Sequence, residues 1–276
     1  MAKQWEAWMT GLIGWLRSCE RLLSRGERCC QVCAGRIMAG KRRLGMLGIC
    51  QGCAEGIPWI HLSELTCARC GRYERCPDCE GSSSAASFVQ SRSAVRYNER
   101  MKEWLAAYKY QRKESLRTVM GGMLLHAYHL HKLPPPGQRL HDGLSDRFAS
   151  IPAVREYVTF VPLSAERCAE RGFNQAEQMA AELARLIGAP LLPLLRRNRH
   201  TERQSSKSRH ERIENMKGLF ELDAYAAIML AEEAKRIKIR LYVIDDVYTT
   251  GSTMSECSRV IRESLPVEVY GITWAR

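Results

Sequence analysis

The sequence contains no run of 18 apolar residues, and this absence excludes a membrane-spanning helix. Only 8% of its 276 residues are aromatic, and acidic residues are fewer than basic ones, 30 against 42. The resulting net charge of +12 excludes a strongly acidic protein and favours a polyanionic partner. Cysteine is scarce after residue 80, where only two of the twelve cysteines lie. The other ten precede it, which predicts two regions of different chemistry.

An apolar stretch near the start, residues 7–16, is long enough to suggest an export signal. However, Glu6 lies where such a signal carries positive charge, and Arg17-Ser18-Cys19 is a poor cleavage site. The larger apolar residues instead recur at helical spacing: Trp5, Trp8, Leu12, Trp15 and Leu16. We therefore expect an amphipathic helix within residues 1–28, and a cytoplasmic protein.

Four CxxC motifs fall between residues 29 and 80. They form two pairs, Cys30-x-x-Cys33 with Cys50-x-x-Cys53, and Cys67-x-x-Cys70 with Cys76-x-x-Cys79. Four thiolates with this spacing are the ligands of a structural, tetrahedral zinc ion, and they leave no open position for catalysis. The pairing of the motifs and the use of Cys29 in place of Cys30 stay open at this point. Disulfides are the alternative, but without an export signal zinc is favoured. Residues 29–80 are thus predicted to be a zinc-binding domain with one or two ions.

The remaining chain is predicted to be an α/β domain over residues 92–276, after a linker at 81–91 that contains the sequence GSSSAAS. Helical spacing is clear from Asn98 to Tyr108, from Leu116 to Ala127 and from Asn174 to Ile187. Apolar strands are predicted at Tyr157–Val161, Ile239–Ile244 and Val267–Trp274. Strands that alternate with helices in this way indicate a mostly parallel sheet flanked by helices.

Two carboxylates and a hydroxyl-rich turn follow the strand that ends at Ile244. Asp245 and Asp246 lie at its carboxyl end, which is the edge where open α/β sheets bind ligands. The next residues are Val247, Tyr248, Thr249, Thr250, Gly251, Ser252 and Thr253. A turn that leads into a helix amino-terminus aims backbone N–H groups at an anion, and Thr253 with Glu256 suggests a capping box there. The carboxylates can accept hydrogen bonds from two ribose hydroxyls and favour positive charge at the anomeric carbon. This pattern predicts a site for a phosphorylated ribose.

The segment VIDDVYTTGST, residues 243–253, resembles the signature of type I phosphoribosyltransferases. The resemblance implies that Asp245 and Asp246 hold the ribose hydroxyls and that residues 247–253 wrap the 5′-phosphate. It also implies phosphoribosyl pyrophosphate as the ligand, with Mg²⁺ bridging substrate oxygens.

Other motifs resemble those of the ComF family of competence-associated proteins. They are VPLS at 161–164, RGFNQA at 171–176, Tyr97 with Lys109, and the set Arg199, Thr201, Gln204, Arg212, Asn215, Gly218 and Phe220. The resemblance extends from about Cys29 to Arg276. It implies an amino-terminal zinc ribbon, a type I phosphoribosyltransferase-like domain, and a role in the uptake of single-stranded DNA during natural transformation. Proteins of the DNA-uptake machinery are then expected partners.

The loop after the Tyr157–Val161 strand is predicted to lie at the same sheet edge as the acidic pair. Pro162 and Leu163 are therefore expected to contact pyrophosphate, with charge from Arg167 and Arg171. We assign Arg171 to the catalytic group with Asp245 and Asp246, and we expect Asn174 and Gln175 to face the ligand from a helix start. The alternative is a surface arginine and a plain helix cap. Residues 199–217 are predicted to be a flap that brings Gln204 to the pyrophosphate.

Two basic stretches suit nucleic acid. Residues 92–117 and 196–217 each hold eight basic and three acidic residues. Aromatic residues lie within the first stretch: Tyr97, Trp104, Tyr108 and Tyr110. They favour contacts with single-stranded DNA, unless Trp104 and Tyr108 are core residues, as their helical spacing suggests. The alternative function is a genuine phosphoribosyltransferase of nucleotide metabolism with a structural zinc ribbon. The sequence identifies no acceptor and leaves enzymatic turnover open.

Overall fold

The computed structural model describes residues 29–37, 47–74, 76, 79, 87–111, 113–133, 154–198 and 218–276. The chain divides into two compact units, residues 1–55 and 56–276. The predicted amino-terminal helix within 1–28 lies outside the described residues, and so does the predicted flap with Gln204. The predicted domain limits, 29–80 and 92–276, stay predictions. Among the helices that the structure describes, none combines the length and the apolar character needed to cross a membrane.

The described part of the first unit consists of two cysteine loops and a short helix, α1 (Gln51–Glu55). The first loop closes on itself, because Cys30 N donates to Gly35 O at 2.7 Å and Ala34 N donates to Cys30 O at 2.8 Å. A further hydrogen bond of 2.9 Å, from Gln31 N to Gly48 O, joins it to the second loop. Backbone hydrogen bonds therefore hold the first two CxxC motifs together.

The second unit is built on a parallel sheet. Its described strands are β1 (Gln90–Val95), β2 (Val154–Phe160), β3 (Leu195–Arg197), β4 (Phe220–Leu222), β5 (Lys238–Val247) and β6 (Glu268–Ala275). Its described helices are α2 (Glu99–Tyr110), α3 (Ser115–Lys132), α4 (Ala165–Arg171), α5 (Gln175–Ile187), α6 (Ala224–Ala234) and α7 (Ser252–Ser264). The sheet has the order β1-β6-β5-β2, all parallel, while β3 and β4 form a separate antiparallel pair. The predicted α/β fold with a parallel sheet flanked by helices is confirmed.

The central strand β5 follows the rule for parallel strands covered on both faces. Residues 241–244 of this strand, LYVI, are completely buried, so the sequence is continuously apolar instead of alternating. The strand extends three residues past the predicted end at Ile244 and includes both aspartates. It therefore delivers Asp245 and Asp246 to the carboxyl edge of the sheet.

The predicted helix signals are confirmed at three ends. Asn98 caps α2, with its Oδ1 accepting from Met101 N at 3.0 Å. Asn174 caps α5, and Gly188 ends it with a φ of +67°. Trp104 and Tyr108 are 6% and 0% exposed, so they belong to the core and are not available for nucleic acid.

Other elements were not predicted. Strand β1 was not predicted, because its sequence, QSRSAV, is polar. Residues 91–93 are nevertheless buried against β6 and the segment that contains Cys67 and Cys70. Helices α4 and α6 and the β3–β4 pair were also missed. The predicted capping box is wrong: α7 begins at Ser252 after Gly251, whereas Glu256 accepts a hydrogen bond of 2.8 Å from Gly218 N.

Candidate functional site

A cavity of about 200 Å³ opens at the carboxyl ends of β2 and β5. Its lining includes most of the residues predicted to contact the ligand: Pro162, Leu163, Arg171, Asn174, Gln175, Asp245, Asp246, Val247 and Thr253. Lys109, Val161, Arg167, Ala176 and Arg197 complete the lining. The loop after β2 and the loop after β5 thus meet at one edge of the sheet, as the sequence predicted.

The two aspartates lie side by side but differ in their surroundings. Asp245 Oδ1 accepts a hydrogen bond of 2.8 Å from Asp246 N, and Asp246 forms an ion pair with Lys109 of α2. Burial, together with the negative charge of Asp246, raises the pKa of Asp245 to about 7, although Lys109 and Arg197 oppose the rise. Near neutral pH Asp245 is therefore only partly ionised, and Lys109 lies beside Asp246 as its counter-charge.

Four basic side chains line the same cavity: Lys109, Arg167, Arg171 and Arg197. Arg197, at the end of β3, was not predicted. Burial lowers the pKa of its guanidinium, and the charge of Arg167 lowers it further, while Asp245 raises it. The available signal was weak, because Arg197 is simply the second residue of the basic stretch 196–217, which follows the apolar run 191–195. Two carboxylates and four cations in one cavity suit a ligand that carries both hydroxyls and a diphosphate.

The RGFNQA motif shapes the cavity wall. Arg171 Nη1 donates to Gln175 Oε1 at 2.8 Å, and its guanidinium lies over the ring of Tyr110, 5.4 Å from the ring centroid. Asn174 caps α5 through Ala176 N at 3.0 Å, and its Nδ2 donates to Val161 O at 3.1 Å. Asn174 therefore ties the start of α5 to the loop after β2. Arg171 is the member of this motif whose charge faces the cavity.

The loop from Val247 to Thr253 forms a second, smaller cleft, lined also by Asp245 and Thr273. The hydroxyl oxygens of Thr250 and Ser252 lie 3.0 Å apart in this loop. Gly251 has a φ of +78°, and an added Cβ would lie 2.5 Å from Cζ of Tyr248 and closer still to its hydroxyl oxygen. The glycine is therefore required both by the backbone conformation and by close packing. The buried Tyr248 ring supports this loop from the core side.

The eight predicted zinc ligands form two groups. One contains Cys30, Cys33, Cys50 and Cys53, and the other contains Cys67, Cys70, Cys76 and Cys79; within each, all sulfur atoms lie within 4.8 Å of one another. Cys33 Sγ and Cys50 Sγ are 3.6 Å apart, and Cys70 Sγ and Cys76 Sγ are 3.4 Å apart. Tetrahedral zinc with Zn–S bonds of 2.3 Å separates its sulfurs by about 3.8 Å. Both groups could therefore hold zinc, the motifs pair as neighbours, and Cys30 rather than Cys29 belongs to the first group.

Comparison with known proteins gives relatives over most of the chain. "Competence protein ComFC" of Streptococcus pneumoniae is 26% identical over 220 residues, which cover 78% of this chain and 82% of that protein. The protein of the same name from Bacillus subtilis is 27% identical over 224 residues, 78% of each chain. "Competence protein F" of Haemophilus influenzae is 27% identical over 254 residues, 89% of this chain and 96% of that protein. No family model matches the chain.

Proposed function

Since this chain belongs to the ComF family of competence-associated proteins, we propose that it binds phosphoribosyl pyrophosphate with Mg²⁺ and acts on single-stranded DNA during its uptake, in the cytoplasm. One observation carries the proposal: Asp245 and Asp246 line the same cavity as four basic side chains, next to the loop 247–253. Similarity to a competence protein ComFC and to a competence protein F supports the link to competence.

Each part of the ligand has a counterpart in the site. The loop 247–253 suits the 5′-phosphate, because it combines a left-handed glycine, two neighbouring hydroxyls and a helix start. Asp245 and Asp246 suit the ribose hydroxyls. Arg167 and Arg197 suit the pyrophosphate. A bound Mg²⁺ would offset the diphosphate charge, and the carboxylates together with solvent fit its preference for oxygen ligands.

Lys109 gives the site a built-in response to a ligand. In the structure it balances Asp246, and both side chains are largely covered, at 16% and 21% exposure. A diphosphate in the cavity would compete for the lysine, and the ribose hydroxyls would then compensate Asp246. We therefore expect a bound ligand to replace this ion pair with charge-assisted hydrogen bonds.

The test is to measure affinity for Mg²⁺–phosphoribosyl pyrophosphate by calorimetry in wild type and in Asp245→Asn/Asp246→Asn. Loss of two charge-assisted contacts, each about 1.5–3 kcal/mol, predicts at least a hundredfold weaker binding. The matched control is Glu103→Gln/Glu232→Gln, which changes the charge equally at two exposed positions. Wild-type affinity in the aspartate variant would refute the proposed ligand site.

An exposed tyrosine at the cavity rim supports the DNA part of the proposal. Tyr110 is 61% exposed, and Arg171, which lines the cavity, covers one face of its ring. A ring backed by a guanidinium is a stacking platform for an unpaired base. Tyr110→Ala should weaken oligo-dT binding about tenfold, since one stacked base contributes about 1–3 kcal/mol. Tyr225→Ala removes a tyrosine that is 76% exposed elsewhere and should have no effect. Equal affinities in both variants would exclude the platform.

Phosphoribosyl transfer is the second candidate function. It is favoured by Asp245, whose pKa of about 7 lets its carboxylate accept a proton from an acceptor near neutral pH. Release of pyrophosphate from phosphoribosyl pyrophosphate in the presence of nucleobases, lost in Asp245→Asn, is the expected sign of turnover. If the protein binds phosphoribosyl pyrophosphate but releases no pyrophosphate, it binds this ligand without catalysing phosphoribosyl transfer.

A further inference from the structure

The second cysteine group is built into the same unit as the phosphate loop. Cys70 and Cys76 are buried in the apolar cluster that also contains Tyr248 and Met254. The backbone around the cysteines also meets the edge of the sheet, because Ser91 N of β1 donates to Arg69 O at 2.7 Å. An added Cβ at Gly71 would lie 2.7 Å from Ser91 O. The cysteine loops therefore pack directly on the fold that carries the site.

One side chain joins these loops to the phosphate loop. Arg276 Nη1 donates to Cys70 O, and its guanidinium lies over the ring of Tyr248, 4.3 Å from the centroid. The backbone of Arg276 is fixed by a 3.0 Å hydrogen bond to Val95 O. Arg276 is thus held by β1 at its backbone and by the cysteine group at its tip, while its flat face supports the tyrosine.

Tyr248 passes this contact to the turn. Its ring lies against Gly251, leaving no room for even a methyl group there. Its backbone N–H donates to Ala275 O at 2.9 Å, so the ring and the main chain are both fixed. The contacts Cys70–Arg276–Tyr248–Gly251 are therefore continuous from the cysteine group to the residue that precedes α7.

Charge explains why two arginines lie beside this group. Arg92 is 1% exposed, donates from Nη2 to Ala68 O at 3.0 Å and interacts electrostatically with the thiols of Cys67 and Cys70. The charge of Arg276 also interacts electrostatically with the thiol of Cys70. A zinc ion with four thiolates carries a net charge of about −2, which two guanidinium groups balance. The arginine positions are thus matched to a metal-loaded cysteine group.

We propose that metal bound by Cys67, Cys70, Cys76 and Cys79 sets the shape of the phosphate loop, and that Arg276 is the positioning residue that transmits it. A bound metal ion would hold the backbone of the Cys67–Cys70 loop, and with it Cys70 O, in place. Without metal this acceptor moves, the guanidinium loses its anchor, and Tyr248 no longer braces Gly251. The effect on ligand affinity rests on the proposed function, whereas the effect on the loop itself does not.

Hydrogen exchange of the full-length chain tests the coupling without any ligand. The reporters are the amides of Tyr248 and Ser255, which donate to Ala275 O and Gly251 O in the structure. Cys76→Ser/Cys79→Ser should lose one zinc ion per chain and raise exchange at both amides about tenfold. The matched control, Cys30→Ser/Cys33→Ser, should lose the other zinc ion and leave both amides unchanged.

Arg276→Met separates transmission from metal binding. It should keep both zinc ions, as measured by elemental analysis, and still raise exchange at the two amides. Arg276→Lys, which keeps the charge but not the flat stacking surface, should give an intermediate effect. If the cysteine variant fails to fold, the two Arg276 variants decide the question. Wild-type exchange in Arg276→Met, or equal loosening of the loop by both cysteine variants, would overturn the proposal.

Ribose 5-phosphate binding gives the functional readout, because this probe carries the 5′-phosphate and the ribose hydroxyls but lacks the pyrophosphate. Its dissociation constant should rise about tenfold in Cys76→Ser/Cys79→Ser and in Arg276→Met, and stay at the wild-type value in Cys30→Ser/Cys33→Ser. Wild-type affinity in the first two variants would also overturn the proposed coupling. Failure of the wild type to bind ribose 5-phosphate would instead refute the proposed function, and the exchange experiment would still decide the coupling.

Discussion

Gly251→Ala is the sharpest perturbation of the phosphate loop that the structure offers. The residue has a φ of +78°, and an added Cβ would lie 2.5 Å from Cζ and 3.0 Å from Cε1 of Tyr248. The substitution therefore combines two separate costs. Alanine must adopt a left-handed conformation, and the buried tyrosine must move away from its place beside Arg276.

The two costs can be separated by a matched glycine. Gly188, which ends α5, has a φ of +67° and no atom within 4 Å of an added Cβ. Gly188→Ala therefore carries only the conformational cost, about 1–2 kcal/mol. Gly251→Ala adds overpacking of about 1–3 kcal/mol. We expect its free energy of unfolding to fall by about 2–5 kcal/mol, which is more than in the control.

The assay measures denaturant unfolding and ribose 5-phosphate affinity for both variants. Gly188→Ala should lose stability and keep its affinity, whereas Gly251→Ala should lose stability and bind about tenfold or more weakly, since displaced N–H donors each contribute about 1.5–3 kcal/mol to a charged ligand. Equal unfolding free energies in the two variants, with unchanged affinity in Gly251→Ala, would refute the packing of Tyr248 on Gly251 and the role of this turn.

Two further predictions concern single charges in the cavity. The pKa of Asp245 is raised to about 7, so the folded state retains a proton that the unfolded state has released, and stability falls as pH rises through this interval. Asp245→Asn should therefore stabilise the ligand-free protein by about 1–3 kcal/mol more at pH 8 than at pH 5, while the control Glu103→Gln, at an exposed position, should show no such gain. A pH-independent effect of Asp245→Asn would contradict the assignment. Arg197→Met should weaken phosphoribosyl pyrophosphate about tenfold and leave ribose 5-phosphate unaffected, with the exposed Arg236→Met as control, and equal losses for both ligands would place Arg197 outside the pyrophosphate end.

The parts of the site that could be predicted are those in which local sequence and fold agree. A buried apolar strand followed by two aspartates and a TTGST turn places its polar residues at the carboxyl edge of a parallel sheet. Asn98 was recognised as a cap because it precedes a helical apolar pattern, and Asn174 was predicted to start a helix, with a plain cap as the alternative. Spacing also identified Trp104 and Tyr108 as core residues. In each case one local feature decides the structure.

The missed features depend on tertiary contacts. Strand β1 is polar, yet Ser93 Oγ lies 2.6 Å from Thr273 Oγ1, and Arg92 finds backbone acceptors that the sequence does not reveal. Arg197 lines the cavity from β3, a short strand that pairs with Phe220 of β4. The predicted capping box failed because Glu256 bonds Gly218, 38 residues earlier in the chain. Long-range partners of polar side chains leave no periodic signal.

The buried guanidinium of Arg92 and the partly buried one of Arg276 limit where this protein can be divided. A shortened chain that starts at residue 87 would retain every strand of the sheet, but it would lack Ala68 O and Cys70 O, the acceptors for Arg92 and Arg276. The truncation would also expose the apolar cluster in which Cys70 and Cys76 pack with Tyr248, so this fragment should be poorly soluble or unfolded. A chain that starts at residue 56 would keep both acceptors, and it follows the division between the two compact units.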